Sequence, residues 1–174
     1  MSSHNTAELL SLAQRIGREA AAMLMDRPAE LQVNTKSTAI DVVTQMDVKV
    51  EAFIVEQLLA ARPNDGMIGE EGAERASTSG ITWVIDPLDG TVNYLYDLPA
   101  YAVSVAAVVG DPSVPGAWQP IAGAVVNPVS GETFRAALRR GAKIAAHRRD
   151  FLALDQQVAA HELALHLVHA DGQQ

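Results

Sequence analysis

The run ITWVIDPLDGTVNY, residues 81–94, passes from apolar residues into two carboxylates, Asp86 and Asp89, and at once through Gly90-Thr91. The spacing predicts a strand over 81–86 that ends in Asp86, on the rim of a sheet where sites are usually built. Two anions so close repel, and something positive is expected between them. Carboxylates with no Cys or His nearby are hard oxygen donors, which select Mg²⁺, Mn²⁺ or Ca²⁺ over Zn²⁺. Gly90-Thr91 frees backbone N–H groups, and a helix beginning over Thr91–Tyr96 would turn its N-terminus toward an anion such as phosphate. The competing reading is that Asp86 and Asp89 merely cap that helix. Upstream, Ile68-Gly69-Glu70-Glu71-Gly72 is a second acidic cluster at the end of a short strand, 66–69. Two acid-tipped strand ends side by side favour a cation site over caps.

Working outward, residues 6–25 repeat Leu9, Leu12, Ile16, Ala20, Met23 and Leu24 at helical spacing, with Thr6 as N-cap and Pro28 as the stop. A second helix is expected from Thr44 to about Ala61. Thr44 and Asp47 form its T-x-x-D start, and Val50, Phe53, Ile54 and Leu58 form one face. Residues 62–66 read as a turn and 111–116 as a loop. Strands are expected at 66–69, 81–86, 101–109, 121–126 and 132–136. Two of them, AVSVAAVV and IAGAVV, are nearly continuous apolar runs and read as buried on both faces. Two helices followed by strands give an α+β layered domain.

Composition narrows the function. The 174 residues are 48% hydrophobic, carry a formal net charge of -8 and include no Cys. That excludes disulfides and thiolate metal sites and argues against nucleic acid as the partner. No apolar run approaches the ~20 residues of a membrane span. The start, MSSHNTAELL, lacks the basic and apolar regions of a signal peptide, so a cytoplasmic protein is expected. The last part of the chain differs. Positions 135–149 hold six Lys or Arg and no acid, whereas positions 1–134 hold seven basic and seventeen acidic residues. His161, His166 and His169 lie in a segment, QQVAAHELALHLVHA, that reads as an amphipathic helix. Position 165 is Leu, so the i, i+4 pairing of H-E-x-x-H fails and no zinc site is expected.

Asp86-Pro87-Leu88-Asp89-Gly90-Thr91-Val92-Asn93-Tyr94 resembles the D-P-[IL]-D-G-T-x-N-[FY] signature of the inositol monophosphatase family. Gly69-Glu70-Glu71-Gly72 resembles its G-E-E element, and Lys36 to Asp47 its K-x-x-x-D-x-V-T-x-x-D stretch. Residues 99–104 and 123–132 also follow its patterns, in order. The resemblance implies a layered αβ sandwich, here its N-terminal half-domain, over residues 1–137, followed by a divergent tail, 138–174, disordered or helical. It implies that Glu70, Asp86 and the carbonyl of Leu88 ligate one Mg²⁺ and that Asp86 and Asp89 share a second. Thr91, Glu70 and the more remote Asp47 would orient the attacking water. Asp89, Gly90 and Thr91 would meet the substrate, a small phosphorylated polyol, with the Gly90 and Thr91 amides on its phosphate. Family members suggest a homodimer.

The family also carries a W-D-x-A motif in a second half-domain. Here Trp stands only at 83 and 118. The expectation is therefore an Mg²⁺-dependent phosphatase acting on inositol monophosphate, or a catalytically inactive metal-binding fragment of one. A lesser alternative is a haloacid-dehalogenase-like phosphatase, whose D-x-D-G-T places one residue between the acids. Here two stand between them, Pro87 and Leu88, which turns the second acid away from that geometry.

Overall fold

A computed structural model describes residues 5–35, 42–138 and 141–145. The first helix, α1 (Thr6–Met25), is capped one residue earlier than expected: Asn5, not Thr6, accepts the Glu8 N–H, at 3.3 Å. Two short strands follow, β1 (Val33–Thr35) and β2 (Val42–Thr44), paired antiparallel as a separate ribbon. The second helix, α2 (Gln45–Ala61), begins in the anticipated capping box. The Thr44 hydroxyl accepts the Met46 N–H at 3.1 Å, and the Asp47 carboxylate accepts the Thr44 N–H at 2.8 Å.

The main sheet follows: β3 (Gly66–Gly69), β4 (Glu74–Arg75), β5 (Ile81–Asp89), β6 (Ala102–Gly110), β7 (Trp118–Val126), β8 (Thr133–Ala137) and β9 (Gly141–Ala145), with a short helix, α3 (Thr91–Leu95), between β5 and β6. The sheet order is β4-β3-β5-β6-β7-β8-β9. Among the described strands of this sheet, only the β3–β5 pair is parallel. Strands β1, β2, β4 and β9 were not anticipated. They run from two to five residues. Strand β9 carries the sheet past residue 137. The expected helix over 156–170, its histidines and the Lys36–Asp41 stretch lie outside the described residues.

Both long helices cover one face of the sheet. Leu9, Ile16 and Leu24 of α1 and Met46, Val50, Ile54 and Leu58 of α2 pack on Ile81, Trp83 and Ile85 of β5, Val103 and Val105 of β6, and Ala124 and Val126 of β7. At Gly17 the backbone of α1 comes so near β7 that a Cβ would stand 3.2 Å from Val126 Cγ2. The alternate residues of β5 and β6, Thr82, Val84, Asp86, Ser104, Ala106 and Val108, belong to the opposite face and are buried too. Both central strands are thus covered on two sides, as their apolar runs required.

Candidate active site

The expectation that the strand ends at Asp86 is corrected: β5 continues to Asp89 through a bulge. Asp86 pairs with Ser104 and Asp89 with Ala102. Three steps along β5 therefore match two along β6, so one extra residue is inserted. In a regular strand, residues three apart point to opposite faces. Because Ser104 and Ala102 share a face, the bulge returns Asp89 to the face of Asp86. This is what the two-residue spacer achieves. Pro87 has no N–H to offer the ladder, and the bulge is where none is required. The Leu88 side chain, 1% exposed, anchors the bulge in the core, while its N–H donates to Asp86 Oδ1 at 3.1 Å.

Gly90 then opens α3 at φ 88°, and no side chain caps that helix. The reading of Asp86 and Asp89 as simple caps is thereby removed. Asn93 closes the exit of α3, donating to Ala100 O at 2.7 Å. Arg27 holds the far end, donating to the carbonyls of Tyr94 and Leu95, the latter at 2.9 Å, with its guanidinium 4.8 Å from the Tyr94 ring centre.

Glu70 arrives from the neighbouring strand. Gly69 is in register with Ile85, and the Glu70 N–H donates to Ile85 O at 3.3 Å. This brings Glu70 beside Asp86. Burial pushes the Asp86 carboxyl up to about 8, and the charges of Glu70 and Asp89 push in the same direction. Three carboxylates thus act in one electrostatic field. Among the described residues no three acids or imidazoles are drawn close enough to form a closed metal-ligand set. Carboxylates and a backbone carbonyl, with neither thiolate nor imidazole, are a donor set fitted to a hard divalent cation.

Thr91 joins this cluster to α2. Its hydroxyl lies 2.9 Å from Asp47 Oδ1 and 3.0 Å from Leu88 O, two acceptors for one proton. Asp47, 2% exposed, also receives the Thr44 hydroxyl on Oδ2 at 2.6 Å. The cap of α2 is therefore tied directly to the start of α3.

Two residues were not anticipated. Glu51, 5% exposed, accepts the N–H groups of Glu71 at 2.8 Å and Ala73 at 2.9 Å. Its signal was available: Asp47, Val50, Glu51, Ile54 and Leu58 fall on one helical stripe, so two acids occupy core spacing. Ser104, 6% exposed and opposite Asp86, has a hydroxyl with no hydrogen-bond partner among the described residues. A serine inside AVSVAAVV was the hint.

The model of the inositol monophosphatase family matches residues 5–170 of the chain. The chain belongs to the inositol monophosphatase family. An inositol-1-monophosphatase of Mycobacterium leprae is 39% identical over 153 residues, covering 79% of this chain and 50% of the relative. One from Rhizobium meliloti is 44% identical over 115 residues, covering 64% and 40%. Among solved structures, the extragenic suppressor protein suhB of Bartonella henselae superposes with a TM-score of 0.71 at 32% identity, covering 81% of this chain and 53% of that one. The chain spans about half the length of the curated relatives it matches. Membership removes the dehalogenase-like alternative and agrees with the layered α+β fold. No helix among the described residues is long and apolar enough to cross a membrane.

Proposed function

We propose that this chain carries the metal- and phosphate-binding half of a Mg²⁺-dependent phosphatase that hydrolyses a small phosphorylated polyol, inositol monophosphate by similarity to its relatives. The observation that supports this reading most is the bulge in β5. It sets Asp86 and Asp89 on one face, beside Glu70, and turns the Leu88 carbonyl to the Thr91 hydroxyl that Asp47 holds. Glu70, Asp86, Asp89 and the Leu88 carbonyl would hold the cation. A bound divalent cation supplies Lewis acidity, lowering the pKa of water and offsetting charge on the phosphoryl group.

The chain's own residues do the rest. Asp47 fixes the Thr91 hydroxyl, so that the Thr91 oxygen can accept a hydrogen bond from the attacking water. Glu70 would help orient that water from the other side, its proton passing to Glu70 or solvent. The amides of Gly90 and Thr91 would hold the phosphate, with Asp89 on the substrate side. Water attacks phosphorus directly as the P–O bond to the polyol breaks, the leaving oxygen takes a proton from solvent to give the alcohol, and no residue is phosphorylated. A phosphoryl group trapped on Asp86 would overturn that step.

We further propose a cytoplasmic protein that pairs as a homodimer, with neither nucleic acid nor membrane as partner. The test is calorimetric titration of Mg²⁺ and Mn²⁺ into the wild type and Asp86→Asn, together with phosphate release from inositol 1-phosphate. Binding should be clear in the wild type and lost in the variant, and release should require Mg²⁺. Equal affinity in both proteins would remove Asp86 from the site.

A further inference from the structure

The loop 69–73 carries Glu70 from β3 into β4, with the Glu70 N–H held by Ile85 O at 3.3 Å. The Gly69 N–H donates to Ala73 O at 2.7 Å and the Gly72 N–H to Gly69 O at 3.4 Å, but the N–H groups of Glu71 and Ala73 point inward, away from any strand. Buried backbone donors must find an acceptor. Here both find the same one. Glu51 reaches from α2 and gives Oε2 to Glu71 and Oε1 to Ala73. A carboxylate is the one side chain that offers two acceptor oxygens and no donor.

The fit is close. A Cβ at Gly69 would stand 2.3 Å from Glu51 Oε2 and 2.5 Å from its Cδ, so the loop backbone rests on the carboxylate. One turn earlier on the same helix stripe, Asp47 holds Thr91 in the same manner. The helix α2 therefore presents two buried carboxylates at i and i+4, and each fixes one limb of the site.

We infer that Glu51 is a positioning residue. By holding the amides of Glu71 and Ala73 it keeps Glu70 beside Asp86, and so sets cation affinity without touching the cation. This rests on the reading of Glu70 and Asp86 as cation ligands. Glu51→Gln replaces one acceptor oxygen by an NH₂ group that opposes a backbone N–H, and the loop on that side is released.

The experiment titrates Mn²⁺ into the 174-residue chain and its Glu51→Gln, Glu70→Gln and doubly substituted variants, following water-proton relaxation. A parallel arm measures amide hydrogen exchange in the metal-free proteins. Glu51→Gln should weaken Mn²⁺ binding about tenfold, the size of one lost ligand contact at 1.4 kcal/mol per decade. The double variant should bind no more weakly than Glu70→Gln alone, because both changes remove the same interaction. Exchange at Glu71 and Ala73 should quicken while the amides of β6 keep their protection. If Glu51→Gln does not fold, Gly69→Ala pushes the same carboxylate out from the loop side and should reproduce the effect. Additive losses in the double variant, or exchange that rises equally in β6, would show a general structural role and overturn the inference. If the wild type binds no Mn²⁺, the cation reading fails and takes the affinity role with it. Unchanged exchange at Glu71 and Ala73 in Glu51→Gln would instead sink the loop-holding role itself.

Discussion

Gly90 and Gly72 have similar backbone angles, φ 88° and 105°, yet they predict different costs. Both lie where an L side chain is strained, by about 1–2 kcal/mol. At Gly72 an added Cβ would meet nothing within 4 Å, whereas at Gly90 it would stand 2.8 Å from Ala100 O. That oxygen also accepts the Asn93 side chain at 2.7 Å and cannot easily retreat. Gly72→Ala should therefore lose only the conformational cost. Gly90→Ala should lose about 3 kcal/mol or more, with the overpacking added, and should weaken phosphate binding as well. Urea denaturation of the two variants measures the difference; equal losses would show that the Ala100 carbonyl yields freely. Asp86 shows how far single residues were legible. Its acidity and its neighbour Asp89 were visible in sequence, but the face each occupies depends on a bulge. A bulge is a mismatch between two strands, and no one strand's sequence displays it.

Among the elements, α2 was the most legible and also the least completely understood. Its Thr44–Asp47 capping box and its apolar face follow from 3.6-residue spacing alone. The same spacing puts Asp47 and Glu51 inside that face; what it could not reveal was why, because donors they accept, the Thr91 hydroxyl and the Glu71 and Ala73 N–H groups, come from residues far along the chain. The turn after α2 makes the same point. Asp65, 1% exposed, receives Arg62, the Ser79 hydroxyl at 2.6 Å and the Trp83 indole N–H at 2.9 Å. It ties the end of α2 to the middle of β5. Burial, the largest influence, raises its carboxyl, but Arg62, Ser79 and Trp83 together hold it below the ordinary 3.8. A depressed folded pKa contributes stability that is present above the unfolded value and is lost as pH falls through the folded one. Asp65→Asn should therefore lose stability at pH 7, and the gap to the wild type should close below about pH 3.8. Trp83→Phe, which deletes one donor, should cost about 1–3 kcal/mol at neutral pH. Urea midpoints from pH 3 to 7 test both. A gap that stays constant with pH would mean that Asp65 contributes shape and not charge.

At the scale of the molecule, the helices close one face of the sheet and the carboxylate cluster gathers at one end of it. On the proposed reading, these 174 residues supply Glu70, Asp86 and Asp89 as anionic donors. The W-D-x-A motif, to which the resemblance assigns a further Asp ligand, is not among them. Mg²⁺ accepts few protein carboxylates and keeps waters in its remaining positions, so on that reading the three acids would hold one such ion and a second only loosely. Transition-state charge stabilisation by a metal ion is worth several kcal/mol, and each ~1.4 kcal/mol is tenfold in rate. The purified 174-residue polypeptide should therefore bind one Mn²⁺ more tightly than any other. It should release phosphate from inositol 1-phosphate at least about a hundredfold more slowly than a full-length relative assayed beside it. Adding Mg²⁺ far above the first binding constant should recover part of the deficit, since mass action fills the weaker position. A rate equal to the relative's at modest Mg²⁺ would show that the three carboxylates and the Thr91–Asp47 pair suffice, and that no further ligand is needed for the chemistry.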